Sequence, residues 1–163
     1  MAGDLTPGTP LEVLDETATT ARIDGNWNFG QVVSERAMEM AASWANQRKA
    51  FGQPIGKFQG TSFKFADMAM EIYATRLLVL DAADKLDHGR LTARVASQVN
   101  LYGSEMAGRV TDNALQVFGG MGITEDLPLQ RFWRDVRVER IWEGTSEIHR
   151  DLISRDVLAQ FPG

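Results

Sequence analysis

Apolar residues in this chain recur every three or four positions through three long segments, and nowhere do they alternate with polar residues as in a strand. The segments run from about Gln31 to Ala50, from Lys57 to Asp87 and from Leu91 to Phe118. A repeat of about 3.5 residues places apolar side chains on one helix face and favours packing at shallow crossing angles. Shorter helices are predicted near Leu129 to Val136 and Thr145 to Leu158. The sequence therefore predicts an all-α fold, an antiparallel bundle of long helices.

Large apolar residues form one stripe along the second segment and another, from Val95 to Val117, along the third. A stripe of Met and aromatic residues at helical spacing is normally a core face rather than a cofactor site. We therefore expect both stripes to be buried in the bundle. The stripe of the second segment comprises Phe63, Ala66, Met70, Tyr73, Leu77 and Leu80.

At 163 residues the chain has the length of one domain with its own core. Residues 1–20 contain several glycines and prolines and are predicted to be a flexible lead-in or linker. The helical domain is predicted to occupy residues 21–163.

Composition excludes several classes of function. The net charge is -5 without a basic block, which argues against nucleic-acid binding. The chain has no cysteine and only 2 histidines, far apart, so we expect no metal site and no thiol nucleophile. No apolar run is long enough to span a bilayer, and the N-terminus lacks a signal-peptide pattern. The expected compartment is the cytoplasm, or the mitochondrial matrix in a eukaryote.

A carboxylate with an unusual setting lies in the segment from Ile141 to Arg150, where Glu143 is placed between Trp142 and Gly144. The following residues Thr145, Ser146 and Glu147 are typical of a helix start, because a hydroxyl caps orphan backbone N–H groups and acidic residues favour the first turn. Glu143 is therefore predicted to lie on a turn just before a helix. Two interpretations remain: a solvated surface residue, or a partly desolvated general base.

Three other segments interrupt the helical pattern with residues that a core does not need. Arg48 and Phe51 follow the first long helix, where an arginine can complement the helix dipole or bind a phosphate. Phe58 and Gln59 open the next helix, where an amide can hydrogen-bond a heterocycle. Residues 116–122 end the third helix with several glycines, which form a cap or let a ligand approach the backbone. Each signal is weak alone.

Together, and in this order, these segments resemble the C-terminal helical domain of the acyl-CoA dehydrogenases. The resemblance extends over roughly residues 22–158 and includes Arg134 and Asp135. It implies an enzyme that introduces a double bond between Cα and Cβ of an acyl-CoA thioester. In the family a glutamate removes the α-proton, FAD accepts the β-hydrogen as hydride, and hydrogen bonds to the thioester carbonyl stabilise the developing enolate.

The resemblance also implies a role for each matching residue. Glu143 is the catalytic base, while Gly144 and, more loosely aligned, Arg22 contact the substrate. The implied contacts to FAD come from two groups. Residues that reach the cofactor of a neighbouring subunit are Arg48, Phe51, Phe58, Gln59, Gln116, Val117, Phe118, Gly119 and Gly120, and those that contact FAD from the subunit of the base are Thr145, Ser146 and Glu147.

The chain is shorter than the members of this family, which carry an N-terminal helical domain and a middle β-domain before the C-terminal one. Only part of the FAD site is therefore expected here, and we expect the isolated chain to lack catalysis. The implied partners are an acyl-CoA, further copies in a dimer or tetramer, or a longer flavoprotein subunit, with electron-transferring flavoprotein a candidate acceptor. Alternatives are a flavin-dependent oxidase or monooxygenase of the same fold, and a non-catalytic oligomerisation subunit.

Overall fold

The computed structural model describes residues 27–162, with side chains from Phe29 onward. The predicted lead-in over residues 1–20 and Arg22, predicted to contact the substrate, lie outside the described residues. The remaining predicted site residues are all within the described part and can be placed in the fold.

The described chain is an antiparallel bundle of long α-helices, as the apolar periodicity predicts. Its three long helices are α1 (Trp27–Gln47), α2 (Gln59–Asp87) and α3 (Ala93–Phe118). The C-terminal part adds the short helices α4 (Gly120–Ile123) and α5 (Leu129–Asp135), a 3-10 helix (Val136–Arg140) and α6 (Ser146–Ala159). The all-α class is thus confirmed for the described residues.

A small hairpin that the sequence pattern does not predict joins α1 to α2. Its strands β1 (Lys49–Ala50) and β2 (Gln53–Pro54) pair in antiparallel register, and a 3-10 helix (Ile55–Lys57) follows. Because Lys49 and Ala50 join the hairpin, α1 ends at Gln47 and not at Ala50 as predicted. The two hairpin-loop residues, Phe51 and Gly52, have φ angles of 50° and 84°, as a tight two-residue turn requires.

Helix α3 is the central element, and it contacts α1, α2, α5, the second 3-10 helix and α6. The Thr92 hydroxyl caps its start by accepting from the Val95 N–H at 3.3 Å, and Gly119, at φ 62°, ends it. Small residues allow α1 to pack closely: a Cβ on Gly30 would lie 3.3 Å from Ala107 Cβ. The main core contains Ala37, Ala41, Met68, Ile72, Met106, Val110, Ala114 and Leu129.

The expectation that the stripe of α2 is core is wrong for the described chain. Its five large members, Phe63, Met70, Tyr73, Leu77 and Leu80, are exposed, and Met70 retains 72% of its accessible surface. The buried face of α2 is formed instead by Met68, Ile72, Thr75, Val79 and Ala82. At about 100° per residue, that face lies on the opposite side of the helix from the stripe. The stripe of α3 is largely buried, as predicted, because α3 is packed on several sides.

Within residues 27–162, the structure contains no helix that is both long and apolar enough to cross a membrane.

Candidate functional site

Glu143 lies on an exposed turn between the second 3-10 helix and α6. Its φ is 56° and that of Gly144 is 107°, so two successive residues adopt positive φ angles. Backbone hydrogen bonds from the Ile141 and Trp142 N–H groups to the Val138 carbonyl, at 2.8 and 3.1 Å, support the start of the turn. The partial desolvation expected for a general base is not provided by the described residues, because Glu143 is exposed.

The end of the turn is the predicted helix start. Thr145 is the N-cap of α6, and its hydroxyl accepts from the Ile148 N–H at 3.4 Å. The backbone N–H of Glu147 and the Thr145 hydroxyl lower the pKa of the Glu147 carboxyl, which occupies the first turn. Glu143 therefore immediately precedes a capped helix N-terminus, as the sequence predicts.

Gly144 is packed against a buried imidazole. A Cβ built on Gly144 would lie 3.0 Å from His149 Nε2 and 3.1 Å from its Cε1. His149, on the first turns of α6, is itself buried. Both the positive φ and this close approach exclude a larger residue at position 144 without a local shift.

The residues on both sides of the turn are joined to α3 through Glu105. The Ser146 hydroxyl donates to Glu105 Oε1 at 2.9 Å, and Arg150 Nη2 donates to the same oxygen at 3.4 Å. Arg140 Nε lies 3.4 Å from Glu105 Oε2. Burial alone would raise the pKa of the Glu105 carboxyl, but Ser146, Arg140 and Arg150 together hold this pKa below its usual value.

A second carboxyl lies beneath the same turn. Glu139 is only 6% exposed, and its Oε1 accepts no hydrogen bond within the described chain. Burial raises the pKa of Glu139, a hydrogen bond from the Trp142 side chain opposes this, and the negative charge of Glu143 adds to the increase. The exposed carboxylate of Glu143 thus has a buried carboxyl as a neighbour.

The first group of predicted cofactor residues lies where α1, the hairpin and α2 meet. Arg48 and Gln59 are exposed, and within residues 27–162 no ion pair to Arg48 is found. Phe51, at the hairpin tip, is 97% exposed, and its ring meets that of Phe58 edge to face at 6.2 Å. The structure therefore brings a solvent-facing guanidinium and an exposed aromatic ring to the same end of the bundle.

The second group, residues 116–120, ends α3 at the same end of the bundle. Phe118 stacks on Trp44 of α1, with ring centroids 5.0 Å apart and an interplanar angle of 15°. Gln116, Gly119 and Gly120 are exposed, whereas Val117 and Phe118 are buried. The two aromatic rings line an open cavity of about 300 Å³ together with Arg36, Glu39, Met40, Ser43 and Gln47.

These groups are not gathered around Glu143 within the chain. The turn is attached to α3 at Glu105, whereas Gln116 lies near the end of that helix. The helix axis between them runs about 16 Å at about 1.5 Å per residue. No group of three or more His, Asp or Glu placed to hold a metal ion occurs in the part of the chain that the structure describes.

Sequence inspection missed Glu105, Glu139, Arg140 and His149. Glu105 is an ordinary polar residue within a helical pattern, and its partners come from 35 to 45 positions further along the chain. One signal was available: Gly108 interrupts α3, and glycine inside a helix often marks a close approach. In the structure a Cβ on Gly108 would overlap the guanidinium of Arg140.

Comparison with known proteins identifies the same family as the motifs. Residues 25–158 match the family model described as "Acyl-CoA dehydrogenase, C-terminal domain". A probable acyl-CoA dehydrogenase of Bacillus subtilis, YngJ, is 43% identical over 126 residues, which cover 77% of this chain and 33% of that protein.

Solved structures share the fold. Butyryl-CoA dehydrogenase from Megasphaera elsdenii superposes with a TM-score of 0.80 at 39% identity, over 84% of this chain and 36% of that one. An FAD complex of the protein PigA superposes with a TM-score of 0.75 at 30% identity, over 78% of this chain and 33% of that one. The chain thus spans about a third of the length of the relatives it matches.

Proposed function

The chain belongs to the acyl-CoA dehydrogenase family, and from that premise we propose that it is the base-bearing C-terminal part of a flavin-dependent acyl-CoA dehydrogenase. The observation that carries the proposal is the setting of Glu143: it is exposed on a positive-φ turn, and residues on both sides of that turn contact Glu105 of α3. A solvent-facing carboxylate can take up a proton from a substrate that a further domain or chain encloses.

In the proposed reaction the Glu143 carboxylate removes the α-proton of an acyl-CoA and becomes a carboxylic acid. The Glu143 backbone N–H donates to the thioester carbonyl, which stabilises the negative charge that develops on that oxygen. Gly144, which has no side chain, leaves room for the substrate beside the base. When bound, FAD supplies the acceptor for the β-hydrogen, which leaves as hydride.

The residues at the far end of the bundle fit part of an FAD site. The exposed Arg48 guanidinium suits a pyrophosphate, for which arginine provides a planar set of donors. Phe51 presents an exposed ring at the tip of the hairpin that follows Arg48, and the glycines after Gln116 allow close approach to the backbone. Because this region is about 16 Å along α3 from the anchor of Glu143, we propose that it serves the cofactor of a neighbouring subunit.

We further propose that the chain associates with a second copy. The exposed stripe of α2 presents large apolar residues every three or four positions, and such a stripe can pack against the same stripe of an antiparallel partner helix. A longer flavoprotein chain is the alternative partner, and electron-transferring flavoprotein is the proposed electron acceptor. The proposed compartment is the cytoplasm, or the mitochondrial matrix in a eukaryote.

The chain alone is expected to be inactive. Most of the relatives' length is not represented in it, and the middle and N-terminal domains of the family pattern would supply the remaining cofactor and acyl-CoA contacts. Mixing the purified chain with FAD and saturated acyl-CoAs of several lengths should give no bleaching of the flavin absorbance. Rapid bleaching by the chain alone would contradict its proposed incompleteness.

The role of Glu143 is tested by Glu143→Gln in the protein that includes the missing domains, whether on the same polypeptide or a separate one. The amide cannot accept the α-proton, so turnover should fall by at least about 100-fold, the usual contribution of a general base. Flavin bleaching by an acyl-CoA measures the loss.

The matched control is Glu125→Gln, which makes the same change at an exposed glutamate in the loop before α5. It should retain activity. If both variants remain equally active, Glu143 is not the base.

A second candidate function follows from the separation of the two regions along α3. The chain could act as a non-catalytic subunit that lends Arg48 and Gln116 to the FAD of another chain. In that case Glu143→Gln would leave activity unchanged, Arg48→Gln would weaken FAD binding, and the chain would co-purify with a longer flavoprotein. Production of hydrogen peroxide under air would instead indicate an oxidase of the same fold.

A further inference from the structure

The turn that carries Glu143 is a costly conformation that needs support from the rest of the fold. A non-glycine residue with positive φ is disfavoured by roughly 1–3 kcal/mol and persists only where its surroundings impose it. Glu143 has this conformation at φ 56°, on a turn that is exposed. Contacts of the residues before and after the turn can supply such a constraint.

Glu105 contacts residues on both sides of the turn. Upstream, Arg140 ends the second 3-10 helix, and its Nε lies 3.4 Å from Glu105 Oε2 while its Nη2 donates to the Glu105 backbone carbonyl at 3.5 Å. Downstream, Ser146 and Arg150 both donate to Glu105 Oε1, at 2.9 and 3.4 Å. Each carboxylate oxygen of Glu105 thus contacts residues at a different end of the turn.

The surroundings of Glu105 are shaped for this arrangement. Arg140 reaches the carboxylate by crossing α3 at Gly108, where any side chain would overlap its guanidinium. The Ser146 side chain is buried, so its hydroxyl is directed into the chain. Glu105 itself is on α3, the central helix, and is therefore held by a rigid element.

We propose that Glu105 is a positioning residue for the catalytic base: by binding Arg140 on one side and Ser146 and Arg150 on the other, it fixes the distance between the ends of the turn and holds Glu143 in its positive-φ conformation. The catalytic part of this inference rests on the proposed function. The structural part does not, because it concerns only how the turn is held.

The test compares Glu105→Gln with the wild-type chain by nuclear magnetic resonance. Glutamine retains an acceptor for Ser146 but removes the charge that binds both arginines. The amide signals of Glu143 and Gly144 should shift, and amide hydrogen exchange from Ile141 to Ser146 should accelerate by roughly tenfold, as expected for losing hydrogen bonds to a charged group. Arg140→Gln, which removes only the upstream contact, should produce a smaller change in the same signals.

The matched control is Glu71→Gln. The single Nε–H of Arg109 on α3 is shared between the two carboxylate oxygens of Glu71 on α2, each at 3.0 Å, so Glu71 also joins two elements through a charged pair. Its loss should affect the stability of the bundle comparably and leave the signals of the turn in place. If the signals of the turn respond equally to both substitutions, Glu105 stabilises the chain in general and has no specific effect on the turn. That result would overturn the proposal.

A pH profile separates positioning from packing. The charged groups that face Glu105 are Arg140 from the 3-10 helix and Arg150 and Glu147 from α6. Because these surroundings lower the pKa of Glu105 in the folded chain, its contacts should be complete above the ordinary value of 4.5 and be lost as pH falls through the lowered pKa. The turn signals should follow this titration in wild type and not in Glu105→Gln.

The two proposals can fail separately. If Glu105→Gln loosens the turn but Glu143→Gln leaves turnover unchanged in the complete protein, the dehydrogenase proposal fails and the structural role of Glu105 stands. If the turn signals are unmoved in Glu105→Gln, the positioning proposal fails, whatever the activity of Glu143. With both proposals correct, Glu105→Gln should lower kcat several-fold while leaving KM nearly unchanged.

Discussion

Glu143 and Gly144 together create a sharp backbone reversal directly before α6, with φ angles of 56° and 107°. Glycine is required at position 144 for two independent reasons: the backbone conformation is costly for any other residue, and His149 Nε2 would be 3.0 Å from a Cβ. Glu143, the proposed catalytic base, has a backbone conformation that carries the same kind of cost. The motif that suggests a catalytic residue is therefore also a motif of local strain.

Gly144→Ala should therefore destabilise the chain by about 1–3 kcal/mol and change the amide signals of the turn. Urea denaturation measures the first effect and magnetic resonance the second. Gly60→Ala is the control, since Gly60 lies on the exposed first turn of α2 with nothing within 4 Å of an added Cβ. It should leave stability unchanged or slightly higher. Equal losses in both variants would contradict the interpretation of Gly144.

Glu139→Gln tests the buried carboxyl beneath the turn. Because burial raises the pKa of Glu139 in the folded chain, wild type should lose stability as pH rises from the ordinary value of 4.5 through the raised pKa. Glutamine cannot ionise, but its side-chain oxygen can still accept the hydrogen bond from Trp142. The variant should therefore match wild type in acid and be more stable at neutral pH, by on the order of 1 kcal/mol.

The measurement is urea denaturation at a series of pH values. Glu125→Gln, at an exposed site, controls for the loss of one negative charge. A stability difference between Glu139→Gln and wild type that does not change with pH would mean that the effect comes from packing and not from the ionisation of Glu139.

At the scale of elements, α2 has two apolar faces, and within the described chain only one of them is covered. Residues such as Met68 and Ile72 pack inside the chain, while Met70, Tyr73 and Leu77 on the other side are exposed. Sequence periodicity detects apolar faces but not which neighbour covers each one. The stripe is therefore the strongest candidate for an interface with a second copy.

Met70→Lys should weaken self-association without unfolding the chain. A lysine in the centre of an apolar interface is an unpaired buried charge and should raise the dissociation constant at least about 100-fold. Because Met70 is 72% exposed in the single chain, the fold should lose little stability. Sedimentation velocity measures the association, with Gln98→Lys at an exposed site of α3 as the control. Wild-type chain that remains monomeric at high concentration would contradict a homo-oligomeric interface.

At the scale of the whole molecule, α3 is the central helix, and both proposed functional regions are attached to it. One region, anchored at Glu105, contains Glu143. The other contains Gln116 near the end of α3, and the stacking of Phe118 on Trp44 places it at the same end of the bundle as Arg48 and Phe51. The chain is about a third of the length of the relatives it matches. A bundle with two separated regions is suited to completing sites that lie between itself and other domains or subunits.

Much of the fold was predictable because the signals for helix formation lie in residues that are close together in the sequence. The apolar repeat identified each long helix, the glycines from Gly119 marked the end of α3, and Thr145 marked the start of α6. The hairpin was missed because its strands are two residues long, too short for any alternation to appear. The roles of Glu143 and of the cofactor residues remain predictions that the proposed variants test.

The sequence by itself determined the helical class, the helix order, the family and the turn that carries Glu143, since each depends on neighbouring residues or on short motifs. Only the tertiary structure decided that Glu105 joins both ends of that turn, that Glu139 and His149 are buried beneath it and that the stripe of α2 is exposed. The physical reason is that burial and ion pairing depend on which distant residues meet in space. Arg140 and Ser146 reach Glu105 across 35 and 41 positions of sequence, a separation over which no local pattern carries information.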